Sequence, residues 1–343
     1  MKPRSLAAAG CVAGFGALLL LPGLGRMGAI DSTDARYLAI AREMWRTGEW
    51  LVPRLGGALH LDKPPLAYWS AALGFELFGA SEAAGRFAQQ LAWIATALVV
   101  LRGAGALGAG RWSIVAPLAL LGMGLPFALS RGLATDHFQL ALVTPALLLL
   151  RAGAQRRSAS HTAAAFACLG VSMLAKGPIA LLVAAVVWIA WAARARGAAA
   201  LPLRGVALGA LLFAAVGLPW YAALDRQMPG VLGWYLDVQL ASRVTGGGAG
   251  HAKDAAYLLR AWLLGLLPWT PVALLALWRL ARRGRDPDGA FVVAWALAPV
   301  LVFSLFATKL AGYVLPAFPG AALAIAVAGG RGLLADRRAR AAL

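Results

Sequence analysis

The sequence predicts an all-α, polytopic membrane protein with about ten transmembrane helices. Its 343 residues are 61% hydrophobic and have a mean hydropathy of +0.73. Charged residues make up 13% of the chain, about half the share that is usual in soluble domains. The two cysteines, Cys11 and Cys168, both lie in apolar runs. Such positions favour packing and predict neither a disulfide framework nor a pair of metal ligands.

Ten apolar runs are long enough to cross a bilayer. They lie near residues 6–25, 88–108, 112–130, 134–151, 160–175, 178–194, 205–223, 255–278, 289–307 and 312–330. The first run is longer than the apolar part of a typical secretory signal and is followed by nine more, so we interpret it as a retained signal anchor. We expect one transmembrane domain over residues 1–343, without a soluble C-terminal domain.

An eleventh apolar piece, Leu66–Phe78, decides the orientation of the chain. It is shorter, carries Glu76 and directly follows two prolines. If it does not cross and the N-terminus is cytoplasmic, 18 of the 32 basic residues fall inside with three acids, as the positive-inside rule requires. We therefore predict an inner-membrane protein with both termini in the cytoplasm. The net charge of +18 then reflects topology, and no nucleic-acid partner is expected.

With this topology, the unusual polar residues collect on the outer face. The first outer loop, residues 26–87, contributes Asp31, Asp34, Asp62 and Lys63. Later outer loops contribute Asp136, Lys176, Arg243, His251 and Lys309. Outer loops are exposed to water and therefore tolerate charged side chains. Very short turns between apolar runs more commonly use Gly, Ser or Asn, however, so the charges at 136, 176 and 309 indicate function.

Two outer segments have a predicted structure. Residues 35–45 form an amphipathic pattern typical of an interfacial helix. Asp34 precedes this helix, so it is either an N-terminal cap or a chemical group, and Asp31 offers the same alternatives. The outer loop 224–254 is rich in glycine at 246–250, which suits either a loop that closes over substrate or a disordered segment.

An enzyme on the outer face has no nucleotide pool, so we expect a lipid-phosphate donor and no nucleotide cofactor. Such chemistry needs cations for the phosphate and a carboxylate that deprotonates the acceptor hydroxyl. The candidate cations are Lys63, Lys176, Arg243 and Lys309, and the candidate carboxylates are Asp34, Asp62 and Asp136. Asp62 and His251 are also candidate ligands of a divalent metal ion.

Several motifs resemble the ArnT-like (aminoarabinose transferase) and protein O-mannosyltransferase superfamily. The first-loop motifs begin at Asp34 (DARYLAIAREM), Gly48 (GEWLVPRL), Leu61 (LDKPPLAYW) and Leu77 (LFG). Further motifs follow in the family's order, at 134–136, 173–178, 218–221, 267–270 and 308–316. The resemblance therefore covers nearly the whole chain.

The resemblance implies a GT-C membrane core with juxtamembrane helices in the first outer loop. It also implies a polyprenyl-phosphate-linked sugar donor. We expect inverting transfer to an acceptor hydroxyl or phosphate, which is lipid A-like, a glycan or a protein. By position, Asp34 is the catalytic carboxylate and Asp62-Lys63 contacts lipid phosphate and metal. Asp136 matches a carboxylate between helices, while Arg243 and His251 flank the flexible loop. The family's Asp-Glu pair is Thr33-Asp34 here, which leaves Asp31 as an alternative to Asp34.

Two other classes of function compete with a transferase. A transporter or flippase of a lipid-linked substrate predicts charged or broken helices at the bilayer midplane, whereas these apolar runs carry almost no charge. A non-catalytic membrane scaffold is also compatible with the composition. The carboxylates and lysines in several outer turns favour the transferase, whose partners would be the lipid-linked donor, its acceptor and membrane lipids.

Overall fold

The computed structural model describes residues 3–195, 197, 199–237, 253–284 and 286–335. The described chain is mostly helical, and its β structure is a small antiparallel hairpin of Arg54–Leu55 and Ala58–Leu59. Both carboxylate oxygens of Glu43 accept hydrogen bonds from the backbone amides of the hairpin's turn, at 2.8 and 3.0 Å. The predicted all-α class is confirmed.

The helices of the first half of the chain are α1 Pro3–Leu20, α2 Ser32–Thr47, α3 Leu66–Phe78, α4 Glu82–Ala106, α5 Val115–Leu121, α6 Gly124–Ser130, α7 Thr135–Gln155 and α8 Ala159–Lys176. Those of the second half are α9 Ile179–Ala195, α10 Leu203–Gly217, α11 Pro219–Gln227, α12 Val231–Trp234, α13 Tyr257–Gly265, α14 Thr270–Ala281, α15 Pro287–Ser304 and α16 Phe318–Gly330. Short 3-10 segments precede α5 and α16, at Gly110–Ile114 and Ala311–Ala317.

Each of the ten predicted spans coincides with one helix or with two consecutive ones. Among the described residues, five helical segments are long and apolar enough to cross a membrane, or seven if each of two bent pairs is one span. The apolar helices α1 and α9 are shorter. The chain is therefore a multi-pass membrane protein.

Two of the predicted spans are broken, which the sequence did not indicate. The chain bends by 56° between Gly110–Leu121 and Gly124–Ser130, and it bends by 109° between α13 and α14. The two breaks contact each other, because the Gly124 amide donates to the Leu267 carbonyl at 2.8 Å. Backbone groups inside a bilayer need such partners, so the two breaks stabilise one another.

Glycines allow helices α8 and α10 to pack closely. A Cβ on Gly209 would lie 2.9 Å from the Phe166 side chain, and one on Gly217 would lie 2.9 Å from the Gly170 carbonyl. Gly205, four residues before Gly209, meets the start of α8 in the same way. Small residues at this spacing are typical of helix contacts in membranes, where close backbone approach provides much of the attraction.

Charged residues lie at both ends of the bundle, and helix α7 shows how far apart these ends are. Asp136 is in its first turn, and Arg151, near its other end, pairs with Asp288 at 2.6 Å. Arg331 and Asp286 form a second ion pair, and Asp286 is close to Asp288 in the chain. The predicted inner and outer charges therefore occupy opposite ends of the bundle, separated by most of a spanning helix.

The predicted first outer loop contains two helices, α2 and α3, of which α3 is the piece predicted to be a juxtamembrane or re-entrant element. Helix α2 begins at Ser32, earlier than the amphipathic pattern indicated, and its N-cap is Asp31, whose carboxylate accepts from the amides of Thr33 and Asp34. Asp34 thus lies in the first turn and is not the cap. Helix α3 has 13 residues, about 20 Å of helix, which is too short for a hydrocarbon core of about 30 Å.

Candidate active site

A cavity of about 560 Å³ opens between residues 62–64 and the ends of helices α8, α9, α11, α12 and α15. Most of its wall is apolar, with Met173, Ile179, Leu236, Phe303 and Phe306 among the lining side chains. Asp62, Lys63 and Lys176 also line it. An apolar chamber with two ammonium groups and one carboxylate matches a ligand with a hydrocarbon tail and an anionic head.

The first-loop motif supplies one side of the polar region of the cavity. The Lys63 ammonium donates to the carbonyl of Asp62 at 2.9 Å, while the Asp62 side chain is 49% exposed. Its carboxylate lies 3.9 Å from the Arg36 guanidinium and 3.7 Å from Nε2 of His60. The two prolines that follow Lys63 end this segment and lead into α3, so the motif projects from the start of a helix.

Lys176, which lines the cavity, forms an ion pair with Asp136. Lys176 is in the last turn of α8 and Asp136 is in the first turn of α7, each at the helix end that its charge stabilises. The ammonium also lies 4.0 Å from the ring centroid of Tyr313, a cation–π contact. Three elements therefore hold this lysine at the cavity wall.

Asp34 occupies a different environment from that expected of a catalytic base. It is 1% exposed and pairs with Arg86, which is 0% exposed, through contacts of 2.5 and 3.2 Å. The amides of Ile30 and Leu133 donate to the same carboxylate at 3.0 and 2.6 Å. Asp34 is not among the residues that line the cavity. Its four hydrogen bonds tie α2 to α4 and to the turn before α7.

Lys309 is also held by the protein. Its side chain is buried, and its ammonium donates to the carbonyl of Lys253 at 3.1 Å. The preceding residue, Thr308, lines the cavity. Lys309 thus lies beside the cavity and connects the chain before the last helix to the end of the outer loop.

The remaining predicted residues, Arg243 and His251, lie outside the described residues. The part of the chain that the structure describes contains no group of three His, Cys, Asp or Glu side chains that could hold a metal ion. Asp62 there has one imidazole and one guanidinium as neighbours, and a guanidinium disfavours a cation. The metal site stays a prediction, and no step proposed for the reaction depends on it.

Sequence reasoning missed Arg86, and it predicted that His60 is exposed and has no ligand-like partner, whereas the His60 side chain is 14% exposed and lies beside Asp62. Arg86 gave no signal in the sequence, because it precedes the apolar run at 88–108 and was counted with the first outer loop; in the structure it lies inside α4 and is fully buried. His60 is mostly buried, and this burial lowers the pKa of its imidazole, with the cations Arg36 and Lys63 acting in the same direction and Asp62 opposing them.

Known proteins resemble this chain both in sequence and in fold. Residues 62–220 match the family described as dolichyl-phosphate-mannose-protein mannosyltransferase. The chain is 33% identical over 308 residues to the undecaprenyl phosphate-alpha-4-amino-4-deoxy-L-arabinose arabinosyl transferase of Edwardsiella ictaluri, covering 86% of this chain and 54% of the relative. A relative from Sodalis glossinidius is 33% identical over 305 residues, with the same coverage. The chain thus spans about half the length of these curated relatives.

Two solved structures share the fold. ArnT from Cupriavidus metallidurans bound to undecaprenyl phosphate superposes with a TM-score of 0.84 at 23% identity, over 95% of this chain and 60% of that one. The Archaeoglobus fulgidus oligosaccharyltransferase superposes with a TM-score of 0.68 at 13% identity, over 100% and 52%. The fold is therefore the GT-C type of membrane glycosyltransferases. Within that class the chain belongs to the ArnT-like family, which confirms the resemblance seen in its motifs.

Proposed function

We propose that the protein transfers a sugar from a polyprenyl-phosphate carrier to an acceptor on the outer face of the inner membrane. The observation that carries this proposal is the cavity, whose apolar wall and two lysines suit a polyprenyl chain and its phosphate. The relatives from Edwardsiella and Sodalis are named as undecaprenyl phosphate-dependent transferases, which supports the same donor class. Both termini would be cytoplasmic, with Asp136 and Lys176 at the outer end.

In the proposed reaction, the acceptor oxygen attacks the anomeric carbon of the sugar and displaces the lipid phosphate. Asp62 takes the acceptor's proton, because it is the carboxylate that both lines the cavity and is exposed. The electron pair of the broken carbon–oxygen bond leaves on the phosphate, where Lys63 and Lys176 balance the new charge. A single displacement of this kind inverts the anomeric configuration.

Asp34, Asp136 and Lys309 then act as positioning residues in this proposal. Asp34 fixes the start of α2 through Arg86, and Asp136 holds the ammonium of Lys176. Arg243 and His251 lie outside the described residues, and we propose no step for them.

A transporter is a weaker alternative, although the broken helices are of the kind it predicts. The described chain contains two such breaks, and they contact each other through backbone groups at Gly124 and Leu267. Neither residues 123–130 nor residues 261–278 include an ionisable side chain. The broken helices of transporters direct their free helix ends at substrate or ions, whereas the backbone groups here bond to each other, so these breaks favour a structural role.

The test uses purified protein and a panel of polyprenyl-phosphate-linked sugars, with free polyprenyl phosphate measured by mass spectrometry. We expect release with one or more donors. Lys63→Ala and Lys176→Ala should each lower kcat by about 100-fold or more, as loss of one oxyanion-stabilising donor does in other enzymes. Arg226→Ala, which removes an exposed outer cation, is the matched control and should retain activity. No release from any donor would refute the proposal.

A further inference from the structure

A second, smaller cavity lies at the end of the bundle opposite the candidate active site. It has a volume of about 190 Å³ and is lined by residues of α9, α14 and α15, and we call it the inner groove. Helix α9 connects the two sites, because Ile179 in its first turn lines the large cavity and Arg194 in its last turn lines the inner groove. These two residues are separated by about 22 Å of helix. The inner groove is therefore distinct from the proposed donor site.

Small side chains form the floor of the inner groove. Helix α15 contributes Ala290, Val293 and Ala294, which share one face because they are three and four residues apart. Leu297, one turn further along this face, is exposed, and so is Ala190 on the facing part of α9. Helix α15 is long and apolar enough to span the membrane, so this exposed apolar surface faces hydrocarbon. The inner groove therefore suits an acyl chain.

Arg194 adds a positive charge to this otherwise apolar lining. The acids that the structure describes at this end of the bundle are Asp286 and Asp288, and they pair with Arg331 and Arg151. Arg194 has no carboxylate partner in the described part of the chain. Its side chain is exposed, and a guanidinium is well suited to bind a phosphate. An apolar groove that ends at such an arginine matches an acyl chain and a lipid phosphate.

The end of α14 places the inner groove at the depth of the lipid headgroups. Trp278, in the last turn of α14, is 52% exposed, and the Arg282 guanidinium lies 4.6 Å from its ring centroid. Exposed tryptophans are enriched at the boundary between membrane and water. Leu280 lines the groove, and its carbonyl accepts from the amide of Arg283 at 3.1 Å. A phosphate beside Arg194 would therefore lie at the same level as other arginines.

We propose that the inner groove binds one anionic phospholipid of the surrounding leaflet, with an acyl chain against α15 and the phosphate at Arg194. Basic pockets between membrane helices bind anionic headgroups, because several arginines favour a net negative charge. A zwitterionic phospholipid has no net charge and gains less. The bound lipid fills the space beside α9 and α15, which also carry Ile179 and Phe303 to the wall of the large cavity.

The experiment measures Kd for phosphatidylglycerol and for phosphatidylethanolamine with the same acyl chains. The full chain is kept in neutral detergent micelles, and native mass spectrometry reports the first bound lipid. Wild type should bind phosphatidylglycerol about 5-fold more tightly, the effect of roughly one arginine near an anionic lipid. Arg194→Gln should remove most of this preference and leave the Kd of phosphatidylethanolamine unchanged. Ala294→Leu, which fills the floor of the groove, should weaken binding of both lipids.

Two matched variants serve as controls. Arg204→Gln removes an exposed arginine from the first turn of α10, at the same end of the bundle but outside the inner groove. Ala185→Leu enlarges an exposed alanine of α9 that does not line the groove. Both should bind the two lipids as wild type does. Phosphatidylglycerol with a diazirine in its acyl chain locates the site directly, because its cross-links should fall on α15 and should decrease in Ala294→Leu.

An equal preference for phosphatidylglycerol in wild type and Arg194→Gln would overturn the inference. The same loss of preference in Arg204→Gln would overturn it as well, because the effect would then come from the overall positive charge of this end. Cross-links outside α9, α14 and α15 would place the lipid elsewhere. Polyprenyl phosphate that binds more tightly than phosphatidylglycerol, and loses this affinity in Arg194→Gln, would assign the groove to the carrier lipid instead. None of these measurements requires turnover, so failure of the proposed function is a separate result.

Discussion

Replacing Arg86 by methionine should destabilise the protein by about 3–5 kcal/mol, the typical effect of breaking one side of a buried ion pair. Arg86 is fully buried and donates to both carboxylate oxygens of Asp34 and to the carbonyls of Leu24 and Gly28. Methionine has a similar length and fills much of the space. The loss of stability therefore comes from the unpaired charge of Asp34 and from the two unpaired carbonyls, with little contribution from a cavity.

A double-mutant cycle separates the ion pair from the other contacts. Asp34→Asn removes the negative charge and one of two acceptor oxygens, because the amides of Ile30 and Leu133 donate to different carboxylate oxygens. The loss of one amide hydrogen bond is common to the single and the double variant, so the cycle cancels it. The double variant Asp34→Asn/Arg86→Met should therefore be more stable than the sum of the single losses predicts, by about 2 kcal/mol. The assay is reversible unfolding in detergent micelles, followed by tryptophan fluorescence. Arg46→Met, at an exposed arginine near the end of α2, is the control and should change stability by less than about 0.5 kcal/mol.

Two results would refute this reasoning. The first is an Arg86→Met variant whose free energy of unfolding is within about 1 kcal/mol of the wild-type value. This would show that the ion pair is solvated in the folded protein. The second is strict additivity in the cycle, which would show that Asp34 and Arg86 do not interact. In the second case Asp34 would again be available as a catalytic base.

Three further predictions concern the rest of the structure. Asp136→Asn should lower the Kd of polyprenyl phosphate, and Lys176→Ala should raise it, because the aspartate repels an anion near that lysine; isothermal calorimetry measures both. The free energy of unfolding should decrease as the pH falls below about 6.5, the usual pKa of histidine, and His60→Gln should make this decrease smaller. Unfolding measured at a series of pH values tests this. The folded state disfavours protonated His60, so its contribution is present above this pH and is lost as the pH falls towards the lowered pKa. Gly74→Ala should lower the Tm, since its Cβ would lie 2.1 Å from the Ala84 carbonyl.

The helices of the first outer loop show which helix bounds can be predicted from local sequence signals. Helix α3 begins after two prolines and ends at a glycine, so its bounds, Leu66–Phe78, were predicted as observed. Helix α2 was predicted from its amphipathic pattern, but its start was placed too late because Asp31 and Asp34 both suit a cap. Only the backbone shows that Asp31 takes this role, and its side chain accepts from two amides.

The broken helices and the pairing of Asp34 with Arg86 are features that local sequence signals did not predict. Hydropathy measures the length of an apolar run and does not detect a bend within it, so residues 112–130 and 255–278 were each predicted as one span. The pairing of their breaks joins Gly124 to Leu267, from distant parts of the chain. Likewise, Asp34 and Arg86 are 52 positions apart, and no local pattern connects them.

The sequence by itself determined the membrane class, the order of the helices, the end of the bundle that carries the candidate chemistry and the family resemblance. These properties depend on composition, on charge asymmetry and on short motifs, all of which are local. The tertiary structure decided which charged groups face the cavity and which are held by other side chains. Lys63 and Lys176 line the cavity while Asp34 is enclosed by Arg86, because burial and ion pairing depend on helices that are distant in the chain.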